Sequence, residues 1–183
     1  NEDDFKKINM WRSHGITRDD NDYIKKNRPN WYYEQHDLGY NYRLPEMSAA
    51  LGLSQIKRLE KFVKKRNRLS EIYKNELRGL PLRFQKVSED CRSSYHLFTI
   101  EITDVYFKRD DLYRFLKTHN IGCQVHYIPI YKQPLYKDLG FESTQLFNSE
   151  RYFNNCLSLP LHYELSERSI KHVSKIIRKF FTI

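Results

Sequence analysis

The sequence predicts an α+β fold, in which a small sheet is flanked by helices and preceded by a helical arm. Three observations predict it. Residues 45–77 carry apolar side chains at helical spacing, and residues 95–102 alternate aromatic and β-branched side chains as a strand does. Helix-like and strand-like segments then alternate towards the end of the chain. The sheet is expected to be antiparallel or mixed.

The first part of the chain is predicted to be a helical arm. Residues 1–11 place acids in a first helical turn, where the helix dipole favours them. Residues 12–29 are polar and are expected to be irregular, and residues 31–34 suit a short extended segment. The pattern in residues 45–77 allows a bend near residues 59–61 before Gly79 and Pro81 end the helix.

The second part is predicted to hold the sheet. We therefore divide the chain into residues 1–80, the helical segment, and residues 81–183, the small α+β domain. Ser166 is expected to cap the last helix, because a serine side chain can accept a hydrogen bond from a free backbone N–H. The strands are predicted at 82–84, 95–102, 121–125 and 157–160, and the other helices at 109–119 and 144–155.

Charge and cysteine usage narrow the class of protein. The 32 Lys and Arg residues exceed the 23 acids, for a formal charge of +9, but they are scattered along the chain. Dispersed charge favours a solvated surface over a nucleic-acid-binding face. The three cysteines are widely spaced, so neither a metal site nor a disulfide framework is expected, and a cytoplasmic location is the default. No apolar run reaches membrane-spanning length, so no membrane partner is expected.

The segment 38–55 is the most informative part of the sequence. It begins with an aromatic turn, Gly-Tyr-Asn-Tyr-Arg, and enters a helix at Leu44 and Pro45. Asn41 and Arg43 could hold an anionic ligand at such a turn. Two other interpretations stay open at this point, because Asn41 could simply stabilise the turn and Arg43 could form an ordinary salt bridge.

Five segments of this chain together resemble the DegT/StrS family of sugar aminotransferases, which use pyridoxal 5'-phosphate. The segment 38–55 carries the strongest resemblance. The others, in the same order as in the family, are the Trp-Arg-Ser-His-Gly-Ile run at 11–16, the strand-like run at 93–98, the loop at 122–134 and the run at 156–161. The resemblance implies the C-terminal small domain of a fold-type-I, aspartate-aminotransferase-like enzyme.

The resemblance also implies roles for individual residues. It places Asn41 at the cofactor phosphate of the neighbouring subunit in a homodimer, and it makes Arg43 and His14 candidates for substrate binding. His126 and Tyr127 lie in the loop that borders the family's nucleotide-sugar pocket. A structural role for His126, at the end of a strand, is the open alternative.

The resemblance finally implies an enzyme of which this chain is one part. The family's Schiff-base lysine, followed by a glycine-rich segment, has no counterpart here, so no catalytic residue is assigned and the chain alone should be inactive. The intact enzyme would transfer an amino group from glutamate to a nucleotide-linked keto-sugar for polysaccharide biosynthesis. The subgroup it resembles most acts on UDP-linked 4-keto-6-deoxy sugars. The alternative is a non-catalytic binding or oligomerisation module.

Overall fold

The computed structural model describes residues 1–141 and 146–182. Contacts between its Cα atoms divide the chain into two compact units, residues 1–57 and the residues from 58 onward. The boundary at residue 80, which divides the chain into a helical segment and a small α+β domain, stays a prediction.

The first unit contains two helices and a two-stranded sheet. Helix α1 (Glu2–Trp11) begins as predicted at Asn1, whose side chain accepts a hydrogen bond of 2.9 Å from the backbone N–H of Asp4. Strands β1 (Ile16–Thr17) and β2 (Glu34–Gln35) pair in antiparallel orientation. Helix α2 (Glu46–Ile56) follows Pro45.

The long helical pattern predicted for residues 45–77 forms two helices. Helix α2 ends at Ile56 and helix α3 (Leu59–Glu76) begins two residues after Lys57, next to the predicted bend. Helix α2 has no buried residue among those that the structure describes, although much of its surface is apolar. The exposed apolar side chains on it are Met47, Leu51, Leu53 and Ile56.

The second unit is built on a three-stranded antiparallel sheet. Strand β4 (Phe98–Ile102) lies between β3 (Leu82–Phe84) and β5 (Cys156–Leu159). The predicted strand at 121–125 was wrong, because this segment makes one isolated bridge, from Gln124 to Ser158. Its alternating burial resembles that of a strand, but no ladder of hydrogen bonds follows the bridge.

Helices pack against this sheet. Along β4 the side chains of alternate residues are buried, and those between them are only partly covered. Ser166 caps the last helix as predicted, since its hydroxyl accepts a hydrogen bond of 3.1 Å from the backbone N–H of Ser169. The helices are α4 (Arg109–Thr118), the single turn α5 (Pro134–Tyr136), α6 (Phe147–Asn155) and α7 (Glu167–Phe180). The predicted start of α6, residue 144, lies outside the described residues.

One apolar core holds the second unit together. Tyr73 of α3 is fully buried, and its ring stacks on Phe98 of β4 with the centroids 4.8 Å apart. Arg178 of α7 donates hydrogen bonds of 2.6 and 2.7 Å to the backbone carbonyls of Glu76 and Arg78, which satisfies carbonyls at the end of α3. The other fully buried side chains include Leu69, Ile100, Leu112, Leu116, Leu157, Ile170 and Ile177.

Candidate functional site

The first unit brings together two segments that are far apart in the sequence. Residues 11–15 cross residues 37–42, and Ser13 and Asn41 form an antiparallel bridge there. The backbone N–H of His14 donates to the carbonyl of Tyr40 at 2.8 Å, and the N–H of Tyr42 donates to the carbonyl of Arg12 at 2.9 Å. The sequence motif of the aromatic turn is therefore joined to the motif at residues 11–16.

Two glycines allow the crossing. A Cβ atom on Gly39 would lie 2.1 Å from the backbone nitrogen of Gly15, and a Cβ atom on Gly15 would lie 1.8 Å from the carbonyl oxygen of Asp37. Gly15 also has a φ of +70°, which favours glycine. The neighbours in each case are backbone atoms, which cannot rotate aside as a side chain can. Both positions therefore require glycine.

A tryptophan and an aspartate fasten the same crossing through their side chains. The indole N–H of Trp11 donates to the carboxylate of Asp37 at 2.6 Å, and the backbone N–H of Leu38 donates to the other oxygen at 2.7 Å. The bond from Trp11, more than that from Leu38, lowers the pKa of Asp37. Sequence reasoning missed this pair, because its members are 26 residues apart and nothing in the residues around either one indicates the other.

Arg43 orients the side chain of Asn41. One guanidinium nitrogen of Arg43 donates to the amide oxygen of Asn41 at 2.5 Å, and both side chains are exposed. This bond uses the amide oxygen, so the amide N–H groups of Asn41 are directed away from Arg43 and can donate to another acceptor. The rings of Tyr40 and Tyr42 stack in parallel beside them, 5.0 Å apart.

A groove of about 810 Å³ lies within the first unit. His14 and Arg43, two candidates from the sequence, line it, and so does Arg12 of the run at residues 11–16. Its five cationic side chains outnumber its two carboxylates, so the groove should attract anions. The cationic residues are Lys6, Lys7, Arg12, Arg18 and Arg43, and the acids are Asp19 and Asp22. Asn41 lies next to this lining, through its hydrogen bond with Arg43.

Glu34 organises the loop that precedes it. Its carboxylate accepts hydrogen bonds of 2.8 Å from the backbone N–H groups of both Ile24 and Lys25, and it pairs with the ring of His36 at 2.7 Å. Hydrogen bonds from Ile24, His36 and Lys25, in decreasing order of their effect, lower the pKa of Glu34 from 4.5 to about 2. The ionised carboxylate is thus the form that holds the loop.

This depressed pKa predicts a pH-dependent loop. Because the pKa of Glu34 is lower in the folded unit, its stabilisation is complete above about pH 4.5 and is lost as the pH falls towards 2. The amide protection factors of Ile24 and Lys25, measured by hydrogen exchange, should fall over this interval. In Glu34→Gln they should be low throughout and nearly independent of pH.

The exposed Glu89 supplies the control for this measurement. Glu89→Gln, in the second unit, should leave the pH profile of both amides unchanged. Equal pH profiles in Glu34→Gln and the unaltered protein would contradict the assignment of the loop's stability to Glu34.

The predicted residues His126 and Tyr127 belong to the second unit. The Nδ1 atom of His126 lies 2.9 Å from the hydroxyl oxygen of Ser158 on β5. Tyr127 is 72% exposed, and its ring meets the ring of His126 edge to face at 4.6 Å. His126 is therefore attached to the sheet while Tyr127 projects into solvent.

Two of the three cysteines offer little reactive chemistry. Cys123 and Cys156 are buried, and burial raises the pKa of each thiol, so both stay protonated near neutral pH.

Within residues 1–141 and 146–182, no three His, Cys, Asp or Glu side chains are grouped so that they could hold a metal ion. In the same part of the chain, the helices are too short or too polar to cross a membrane.

Comparisons with known proteins match the whole of the described site. The model of the DegT/DnrJ/EryC1/StrS aminotransferase family matches residues 1–178. A UDP-4-amino-4,6-dideoxy-N-acetyl-beta-L-altrosamine transaminase from Campylobacter jejuni is 34% identical over 175 residues, which are 94% of this chain and 44% of that protein. The chain thus spans about half the length of the curated relatives it matches.

Solved structures agree with this match. PseC from Helicobacter pylori, an aminotransferase involved in the biosynthesis of pseudoaminic acid, superposes with a TM-score of 0.82 at 30% identity, over 100% of this chain and 47% of that one. The PLP-form of the sugar aminotransferase Spr1654 from Streptococcus pneumoniae gives a TM-score of 0.81 at 25% identity, over 99% and 43%. The predicted fold class is confirmed, and the chain belongs to the DegT/DnrJ/EryC1/StrS aminotransferase family.

Proposed function

We propose that this chain is the C-terminal portion of a pyridoxal-phosphate-dependent aminotransferase. The intact enzyme transfers an amino group from glutamate to a nucleotide-linked keto-sugar, acts as a cytoplasmic homodimer and serves polysaccharide biosynthesis. The names of the transaminase from C. jejuni and of PseC support the substrate class. Nucleotide sugars and pyridoxal phosphate both carry phosphate groups, which suits the cationic groove of the first unit.

The observation that carries this proposal is the crossing of residues 11–15 and 37–42. It places Arg12, His14 and Arg43 around one groove, although about thirty positions separate the first two from the third along the chain. An isolated basic residue would be an ordinary solvated charge. Two arginines and a histidine that converge on one groove, on segments joined by backbone hydrogen bonds, form a preorganised anion-binding surface.

The residues present fit the phosphate end of the cofactor. Asn41 would donate its amide N–H groups to a phosphate oxygen of the cofactor held by the neighbouring subunit. Arg43 fixes the orientation of that amide through its 2.5 Å hydrogen bond and adds positive charge beside it. When bound, pyridoxal phosphate supplies the electron sink that amino transfer requires.

The remaining predicted residues are assigned to the substrate. His14 lines the same groove as Arg12 and Arg43, where it can hydrogen-bond a phosphate or hydroxyl group. His126 and Tyr127 would contact the nucleotide sugar from the second unit. The Schiff-base lysine has no counterpart among the 183 residues, and we place it on polypeptide outside this chain.

The role of Asn41 can be tested in the complete enzyme. Asn41→Asp should raise the dissociation constant for pyridoxal phosphate at least about tenfold, because a carboxylate would face the phosphate and cannot donate to it. Cofactor absorbance on titration measures the constant. Asn75→Asp makes the same charge change on the exposed surface of α3 and should leave it unchanged. Equal affinities for the two variants would contradict the proposal.

The lysine assignment needs a separate test. The 183-residue chain, mixed with pyridoxal phosphate, glutamate and a UDP-linked 4-keto-6-deoxy sugar, should give no amino sugar by mass spectrometry. Formation of the amino sugar by this chain alone would show that one of its own lysines serves the reaction.

One observation favours the second candidate, a non-catalytic binding or oligomerisation module. Helix α2 exposes Met47, Leu51, Leu53 and Ile56, an apolar surface that usually lies against another protein surface. Self-association of the chain in analytical ultracentrifugation, together with failure of the complete protein to bind pyridoxal phosphate, would favour this candidate over the enzyme.

A further inference from the structure

Ser158 is a buried polar residue in contact with a predicted substrate residue. Its side chain is only 4% exposed, and its hydroxyl oxygen lies 2.9 Å from Nδ1 of His126. The sequence around it predicts a strand and is part of the family resemblance at residues 156–161, but it assigns no role to Ser158 itself. A buried hydroxyl is usually hydrogen-bonded, so the groups that lie next to the Ser158 hydroxyl indicate its role.

The strand pattern explains why the Ser158 hydroxyl is available to His126. Along β5, Leu157 and Leu159 contribute to the apolar core, which places Ser158 on the other face of the sheet. Thr99 on β4 is the register partner of Ser158, and the two hydroxyl oxygens lie 3.2 Å apart. The Ser158 side chain is therefore held between Thr99 and His126.

The backbone of Ser158 is also held, by two hydrogen bonds to the backbone of Gln124. Its N–H donates to the carbonyl of Gln124 at 2.8 Å, and its carbonyl accepts from the N–H of Gln124 at 3.2 Å. This pair of bonds anchors the chain two residues before His126. The loop that follows Gln124 thus starts from a fixed point on the sheet. The side-chain contact between Ser158 and Nδ1 then sets the orientation of the His126 imidazole.

The chemistry of a hydroxyl suits this task. A serine hydroxyl can donate to a neutral Nδ1 atom, and it can accept from Nδ1–H when the imidazole is protonated. The contact can thus hold the ring in either protonation state, while Nε2 stays available for a ligand. Which nitrogen of a histidine meets a ligand is commonly decided by the bond that the other nitrogen makes.

We propose that Ser158 is a positioning residue that holds the imidazole of His126 through Nδ1 and so presents Nε2 to a hydroxyl or phosphate group of the nucleotide-sugar substrate. The identity of the group that Nε2 meets rests on the proposed function. The attachment of His126 to Ser158 rests on the structure alone. The two parts are therefore tested by different measurements.

The attachment is tested on the 183-residue chain. Long-range ¹H–¹⁵N spectra of the neutral imidazole report how the proton is shared between its two nitrogens. One tautomer of His126 should dominate in the unaltered chain and in Ser158→Thr, which keeps the hydroxyl. Ser158→Ala should shift the ratio towards that of free imidazole. An unchanged ratio in Ser158→Ala would overturn the inference.

Ser174 provides a matched control for the loss of a buried hydroxyl. It is fully buried in α7, and its hydroxyl has no hydrogen-bond partner among residues 1–141 and 146–182. Ser174→Ala should leave the His126 tautomer ratio unchanged and should not lower the stability, because no bond is lost. A shift of the ratio in Ser174→Ala equal to that in Ser158→Ala would show that the effect is a general loosening and would overturn the inference.

The substrate part is tested in the complete enzyme by steady-state kinetics. Ser158→Ala should raise KM for the nucleotide sugar about tenfold, leave KM for glutamate near its original value, and be rescued by Ser158→Thr. Unchanged KM values alongside a changed tautomer ratio would overturn the proposed presentation of Nε2. Failure of the proposed function itself would appear differently, as an unaltered complete enzyme without transaminase activity.

Discussion

Gly39→Ala is expected to separate the two segments that form the groove. The new Cβ atom would lie 2.1 Å from the nitrogen of Gly15 and 2.5 Å from the carbonyl carbon of His14. Both are backbone atoms, so the overlap can be relieved only if the segments move apart. The hydrogen bonds that cross between them, including the 2.6 Å bond from the N–H of Tyr40 to the carbonyl of Trp11, should then be lost.

Amide hydrogen exchange measures this change residue by residue. Protection at the N–H groups of His14, Tyr40 and Tyr42 should fall by at least about 100-fold, which corresponds to roughly 2.7 kcal/mol of local opening free energy. The fluorescence of Trp11, whose indole donates to Asp37 across the same crossing, should change with it. In the complete enzyme the same variant should lose cofactor affinity.

Gly52→Ala is the matched control for the substitution at Gly39. No heavy atom lies within 4 Å of the Cβ position at Gly52, which lies inside helix α2. Alanine should therefore be tolerated there and should favour the helix by about 0.5–1 kcal/mol. Retained protection of the three amides in Gly39→Ala would show that the crossing does not require glycine.

Tyr73→Ala is expected to give the largest loss of stability in the second unit. The Tyr73 ring is fully buried and stacks on Phe98 with an interplanar angle of 14°. Its hydroxyl donates to the carbonyl of Pro160 at 3.0 Å, and burial raises the pKa of Tyr73, so the donor stays protonated. Removing the ring should cost about 3–5 kcal/mol of unfolding free energy, because a large cavity opens in the core.

Tyr73→Phe distinguishes the contribution of the hydroxyl to stability from that of the ring. It keeps the stacking on Phe98 and removes only the bond to Pro160, so the expected cost is about 1 kcal/mol. Denaturant unfolding followed by helical circular dichroism measures both variants. Both tryptophans, Trp11 and Trp31, lie in the first unit, so their fluorescence tests whether that unit is unaffected. Equal losses for the two variants would contradict the packing argument.

Periodicity and end signals predicted most helices of this protein correctly. Helix α1 begins at the acidic first turn, α7 begins after the cap at Ser166, and the long helical pattern bends close to the predicted place. These features depend on neighbouring residues alone, so the sequence contains them. The segment 121–125 misled the prediction, because Ile121 and Cys123 are buried at alternate positions as in a strand, although the segment forms only a single bridge to β5.

The candidate site could be predicted only in part. The aromatic turn with Asn41 and Arg43 was visible as a motif, and so was the run that contains Arg12 and His14. That both motifs line one groove could not be predicted, because it depends on the close approach of two backbone segments at Gly15 and Gly39. The hydrogen bond between Trp11 and Asp37, 26 residues apart, was missed for the same reason.

The sequence by itself determined the family, the α+β class, the helix ends and the residue types that can hold a phosphate, since each is written in local spacing and side-chain chemistry. The tertiary structure alone decided which of those residues meet. It placed Arg12 and Arg43 on one groove, oriented the amide of Asn41 and attached His126 to Ser158. The physical reason is that such contacts depend on close backbone approach and strand register, which residues distant in the chain establish only when it folds.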